Sequence, residues 1–134
     1  MIEITRDDVR EGLKALVDAN GEDFIYQKAL VGSVGIKRCV YVYEGKPSCI
    51  VGQFLFALGV PLERLEEADW RTFGGGTPAD ELIGELVEEG RIQVESGVAV
   101  ALTEAQNTQD WGLKWGIVLR RAEGELNIHE PSSK

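Results

Sequence analysis

The run "CIVGQFLFALG", Cys49 to Gly59, is apolar on almost every side, so a helix formed there has no face it can leave in water. Other elements must wrap it. Pro47 and Ser48 stand immediately before the run, and Gly59 and Pro61 close it. Ser48 is a good N-cap and the glycine and proline halt propagation, so the spacing predicts a central buried helix capped by Ser48.

The wrapping elements are legible on both sides of this run. Thr5 can cap a helix whose third residue is Asp8; Val9, Leu13, Leu16 and Val17 fall on one face before Gly21 offers a stop, which predicts a helix over about residues 6–19. "DFIYQKAL" and "GIKRCVYVY" are rich in β-branched and aromatic residues and flank the glycine-containing "VGSVG". They read as an antiparallel hairpin. "PLERLEEADW" supports a short helix. "RTFGGGTP" reads as a loop, lacking the preceding strand and the Lys-Ser/Thr ending of a phosphate-binding loop.

Thr77 as cap and Pro78 at the first helical position announce another helix, with Leu82, Ile83, Leu86 and Val87 inward and Asp80, Glu81, Glu85, Glu88 and Glu89 elsewhere. "RIQVESG" reads as a short strand or an extended lead-in. Ala101, Ala105, Thr108, Gly112, Trp115, Leu119 and Ala122 then recur at alternating intervals of four and three, which predicts one long helix from about Val98 to Glu123. Gly112 and Gly116 leave room on it for a close neighbour, Asp110 and Lys114 are spaced to pair, and Gly124 is a stop. The fold class implied is α+β: an N-terminal helix, a β-hairpin, a buried central helix, and C-terminal helices packed on the hairpin. Residues 1–124 form a single domain and 125–134 a flexible tail.

Composition narrows the function classes. At 134 residues with 43% apolar content, the chain is long enough to bury a core without disulfides or metals. Acidic residues outnumber basic ones 23 to 14, a net charge of −9, so the average field repels a phosphate backbone and argues against direct nucleic-acid binding. No apolar stretch reaches the ~20 residues of a membrane span, and "MIEITRDDVR" is no basic leader. Cys39 and Cys49 form no CxxC pair and fit reduced thiols of a cytoplasmic protein.

Three groups of residues remain as candidates for chemistry or binding. Cys49 stands where a helix dipole lowers a thiol pKa, but a cysteine nucleophile needs a base, and the single histidine, His129, lies in the tail. The catalytic set is incomplete. Two cysteines and one remote histidine make no metal site, so neither metal nor cofactor is expected. In "EAQNTQDWGLKWG", Gln106, Gln109 and Asp110 lie within one turn, and Trp111 with Lys114 occupies the polar flank of the helix, an arrangement that fits a partner-binding surface or helix packing. The acidic helix, with Glu81, Glu85 and Glu88, is a second candidate surface.

"CVYVYEGKPSCIVGQFLFALGV" followed by "LTEAQNTQDWGLKWGIVLRRA" resembles small uncharacterised proteins of actinobacteria and their bacteriophages. The shared elements are Pro47, Ser48, Cys49 and Gly52; then Leu58, Gly59 and Val60; then Ala105, Gln106, Gln109, Asp110, Gly112, Trp115, Gly116 and Leu119. The resemblance spans about residues 39–122 and implies a phage or actinobacterial cytoplasm, but no catalytic residue. The expectation is a non-enzymatic accessory protein that binds a host or phage protein, with a homodimer as one arrangement. The alternatives are a thiol-dependent enzyme using Cys49 and an acidic DNA mimic whose carboxylates from 80 to 89 take phosphate-like spacing.

Overall fold

A computed structural model describes residues 1–26, 29–31, 36–38, 40–69 and 77–129. The triple-glycine segment, Cys39, residues 32–35 of the hairpin loop and the last five residues therefore lie outside the described residues. The architecture is α+β, as the sequence implies.

The chain opens with strand β1 (Ile2–Ile4) and helix α1 (Arg6–Asn20). Thr5 and Asp8 form a capping box in which Thr5 Oγ1 accepts the Asp8 N–H at 3.0 Å and Asp8 Oδ2 accepts the Thr5 N–H at 2.9 Å. Val9, Leu13 and Val17 are buried on one side of α1. Strands β2 (Ala29–Val31) and β3 (Ile36–Arg38) pair antiparallel with Leu30 opposite Lys37, the expected hairpin. A second, tighter hairpin follows, β4 (Val42–Tyr43) with β5 (Lys46–Pro47). Its turn residues Glu44 and Gly45 have φ of 51° and 77°, the pair of left-handed conformations that a two-residue primed turn requires.

Helix α2 (Ile50–Ala57) is the predicted central helix, with Ile50, Val51, Gly52, Phe54 and Leu55 buried. Its cap is Cys49 rather than Ser48: Cys49 Sγ accepts the Gly52 N–H at 3.4 Å. The predicted cap is displaced by one residue because the Ser48 hydroxyl is taken by Tyr26 Oη, while the Ser48 N–H donates to Tyr41 O. Helix α1 crosses α2 at Gly12, where a Cβ would lie 2.6 Å from the Phe54 ring.

Helices α3 (Leu62–Asp69) and α4 (Ala79–Glu88) follow. Thr77 is not the cap of α4; it is buried and its Oγ1 donates to Ala68 O at 2.9 Å, tying the two helices together. Val87, expected inward, is 41% exposed. Strand β6 (Ile92–Val94) then returns beside β1 in a parallel pair, Glu3 opposite Gln93.

The long helix predicted over 98–123 is two helices, α5 (Val98–Asp110) and α6 (Trp115–His129). Gly112, with φ +82°, turns the chain rather than admitting a neighbour. The break is held from outside the segment: Phe24 O accepts the Trp115 N–H at 2.8 Å and Glu22 O accepts the Gly116 N–H at 2.9 Å. These two carbonyls satisfy donors that a continuous helix would have used internally. The seam residues Ala101, Ala105, Thr108, Trp115 and Ala122 are all buried, as a folded-back pair rather than a single stripe. Gly124 does not stop α6, which runs on to His129 with Leu126 fully buried.

Candidate functional site

The last turns of α5 carry the polar residues that the sequence singles out, and their side chains divide between the interior and the surface. Gln106 and Gln109 are three residues apart and so share a face. Each reaches the first residue of another helix. Gln109 is 1% exposed, and its Oε1 accepts the Ile50 N–H at 2.8 Å, at the start of α2. Gln106 Oε1 accepts the Ala79 N–H at 2.9 Å, at the start of α4. Helix N-termini carry N–H groups without intrahelical partners, and here two side-chain amides from a third helix supply acceptors.

The other end of Gln106 joins a buried network that the sequence did not mark. Gln106 Nε2 donates to Tyr41 Oη at 3.0 Å, and Tyr41 Oη donates to Thr77 O at 2.6 Å. Asp69 Oδ1 and Oδ2 accept the Tyr41 and Val42 N–H groups at 2.7 and 3.0 Å. Burial pushes the Tyr41 phenol well above its usual range, helped by the proximity of Cys49. It stays protonated and serves as a fixed hydrogen-bonding group. Nothing local distinguishes Asp69 from the neighbouring acidic residues of "LERLEEAD"; its role exists only because α3 ends against β4.

Cys49 is 1% exposed. Burial pushes its thiol up to about 12, against the opposing Gly52 N–H bond, and the nearby Asp110 and Asp69 carboxylates add to the rise. The helix N-terminus therefore loses to desolvation, and the reactive thiolate is suppressed. The histidine is remote. Gly97, preceding α5, lies against His129, so close that a Cβ there would be 2.5 Å from the His129 Cβ. Gln109, which meets the start of α2, is at the other end of α5, about 18 Å away along the axis.

The acidic helix is partly neutralised. Arg64 is buried on α3, with Nη2 at 2.9 Å from Glu85 Oε1 and 2.7 Å from Glu89 Oε2, and Arg91 Nε lies 2.8 Å from Glu89 Oε1. The Arg64 and Arg91 hydrogen bonds hold the Glu89 carboxyl down to about 2. Glu81 and Glu88 stay exposed on the outer face. Among the described residues no group of three or more His, Cys, Asp and Glu side chains is placed to hold a metal ion, and no helix is long and apolar enough to cross a membrane.

Trp111 is one of several large apolar residues that stay exposed, Met1, Phe56, Val87, Val100 and Ile128 among the others. It ends α5 as the C-cap residue, its N–H donating to Asn107 O at 3.1 Å, and its side chain is 68% exposed. Lys114, in the same turn, pairs with Asp23 at 3.3 Å rather than with Asp110. Asp110 Oδ1 instead accepts from Gln109 Nε2 at 3.2 Å. Beside this corner a groove of about 470 Å³ runs between the end of α1 and α6, bordered by Lys14, Asp23, Lys114, Arg120 and Glu123. A scan against protein-family models, a search of curated proteins and a search of solved structures each return no match to this chain.

Proposed function

We propose that the chain is a non-enzymatic accessory protein that acts by binding another protein, with the α5–α6 corner at Trp111 as its recognition surface. The phage or actinobacterial setting implied by the resemblance makes that partner a host or phage protein. The exposure of Trp111 carries this reading. Leaving 68% of the side chain in water, out of roughly 200 Å² for a tryptophan, forgoes about 3 kcal/mol of transfer free energy that a partner can realise. The indole is attached to a capped helix end and flanked by Asp110 and Lys114, the combination of an aromatic anchor and a charged rim found at interface centres.

The buried amides and the suppressed thiol support the same reading by default, since Gln106, Gln109 and Cys49 are occupied in packing. The test is affinity capture from host lysate with the native protein, Trp111→Ala and Cys49→Ser, followed by titration of the captured protein. Trp111→Ala is expected to weaken the partner about 30-fold or more, the scale of a hot-spot residue, and Cys49→Ser to leave it unchanged. Equal affinity in all three proteins would refute the assignment.

A further inference from the structure

Helices α5 and α6 fold back on each other and turn one common face to solvent. Their register is fixed at two points: His129 lies against Gly97 at one end, and Arg121 Nη1 stands 4.0 Å from Glu104 Oε1 at mid-length. On α5 the outward stripe is Val100, Glu104 and Trp111; on α6 it is Ile117, Arg121 and Ile128, with the same spacing of four and then seven residues. Each stripe has apolar ends and one charge between them. Val100, Trp111 and Ile128 are exposed and Ile117 is half-buried. At a rise of about 1.5 Å per residue, this register brings Val100 and Ile128 within about 4 Å along the axis at one end, and Trp111 and Ile117 likewise at the other. Glu104 and Arg121 lie midway. The chain carries a net charge of −9, yet these stripes balance one acid against one base.

We propose that a second copy of this chain covers the face, related by a two-fold axis parallel to the helices, so that α5 of each copy packs on α6 of the other. Neighbouring helices are then all antiparallel, as in an up-down four-helix bundle. Val100 and Ile128 of one copy meet Ile128 and Val100 of the other, and Trp111 and Ile117 do the same at the far end. Gly124 falls between Arg121 and Ile128, and a Cβ there would meet nothing within 4 Å, which leaves a gap for Val100 of the second copy. Glu104 of each copy keeps its own Arg121 and faces that of the other, an alternating ring of four charges. Side-chain exposures of 30% and 47% leave both residues able to take a second partner. The charges also decide the axis, since a two-fold perpendicular to the helices would set Glu104 on Glu104 and Arg121 on Arg121.

Two helices about 20 Å long and about 10 Å across cover roughly 400 Å² per copy, below the ~800 Å² per partner of a standard interface, so the dimer is weak, with a Kd of about 10–100 µM. This deepens the reading of Trp111 as a recognition surface and rests on it: the second copy occupies the surface in the free protein, and the captured partner displaces it. The test is sedimentation velocity of the purified protein from about 1 µM to about 1 mM at physiological salt, where charges are screened beyond about 8 Å. The native protein is expected to dimerise. Ile128→Glu, at a side chain 73% exposed and about 20 Å from Trp111 along the pair, is expected to be monomeric with native circular dichroism and to keep its lysate partner. Glu104→Arg and Arg121→Glu each put four like charges in the ring and are expected to be monomeric alone. Their equimolar mixture restores opposite charges at both contacts and is expected to form a heterodimer. A native protein monomeric at the highest concentration, a dimer unaffected by Ile128→Glu, or a mixture that stays monomeric would each overturn the proposal. A native dimer alongside equal lysate capture by the native protein and Trp111→Ala would uphold the dimer and refute only the external partner.

Discussion

Replacing Gly52 by alanine should destabilise the protein, although alanine is the better helix former. Gly52 sits in the first turn of α2, and a Cβ there would lie 2.4 Å from Tyr41 O and 3.0 Å from Tyr41 Cα. Both are backbone atoms, and that backbone is held by three bonds, from the Tyr41 N–H to Asp69, from the Ser48 N–H to Tyr41 O, and from the Cys49 N–H to Val40 O. It cannot retreat without losing them. Overpacking of this kind costs about 1–3 kcal/mol, against at most about 1 kcal/mol gained from helix propensity. The net loss of about 1 kcal/mol corresponds to a fall in Tm of about 3–4 °C for a chain of this length. Gly84 is the control: it also lies within a helix, α4, but a Cβ there meets nothing within 4 Å. Gly84→Ala should therefore raise Tm by about 2–4 °C. Urea and thermal unfolding followed by circular dichroism measure both; a Gly52→Ala protein as stable as the native one would show that the approach of α2 to Tyr41 is not a tight packing contact.

Three further outcomes follow from individual polar and thiol side chains. Gln109→Leu leaves the Ile50 N–H buried without its acceptor, and urea unfolding should show a loss of about 2 kcal/mol; a neutral result would mean that α2 is capped by other means. With Cys39 changed to serine, Cys49 should react with a disulfide reagent at neutral pH far more slowly than in the unfolded chain, because burial pushes its pKa up to about 12; labelling at the unfolded rate would reopen the nucleophile reading. Glu89 has a depressed pKa, so its contribution is fully present above about pH 4.5, the ordinary carboxylate value, and is lost as pH falls towards about 2. Glu89→Gln should flatten the decline of Tm across that window, and an unchanged slope would place the acid sensitivity elsewhere.

How legible each element was depends on the range of the forces that define it. The capping box of Thr5 and Asp8 spans three residues and is written entirely in local sequence, and the apolar run of α2 declares its burial without reference to a partner. The β1–β6 pair could not be read in the same way. Each strand has three residues, they are separated by most of the chain, and Ile-Glu-Ile carries no period that excludes a helix or a loop. The merged reading of α5 and α6 failed for a related reason. The four-and-three spacing persists through Trp111 to Lys114, and what breaks the helix is the pair of carbonyls of Glu22 and Phe24, brought to Trp115 and Gly116 by the fold. The same contact explains Gly116, where a Cβ would lie 3.1 Å from Glu22.

The two motifs that carry the resemblance meet at one joint. Pro47, Ser48, Cys49 and Gly52 shape the corner from β5 into α2, with Cys49 capping the helix and Gly52 allowing it onto the Tyr41 backbone. Gln109, from the second motif, accepts the first N–H of that helix, and Gln106 holds both Tyr41 and the start of α4. A requirement for this joint accounts for a cysteine, a glycine and two glutamines without any chemistry on a substrate. It also explains why the sequence favoured these residues as a site: small, polar and helix-terminal groups are what catalysis and capping both use. Trp111 stands outside that explanation. It accepts no packing role at the joint and keeps most of its surface in water, so among the residues of "AQNTQDWG" it is the one large apolar side chain that the fold leaves exposed.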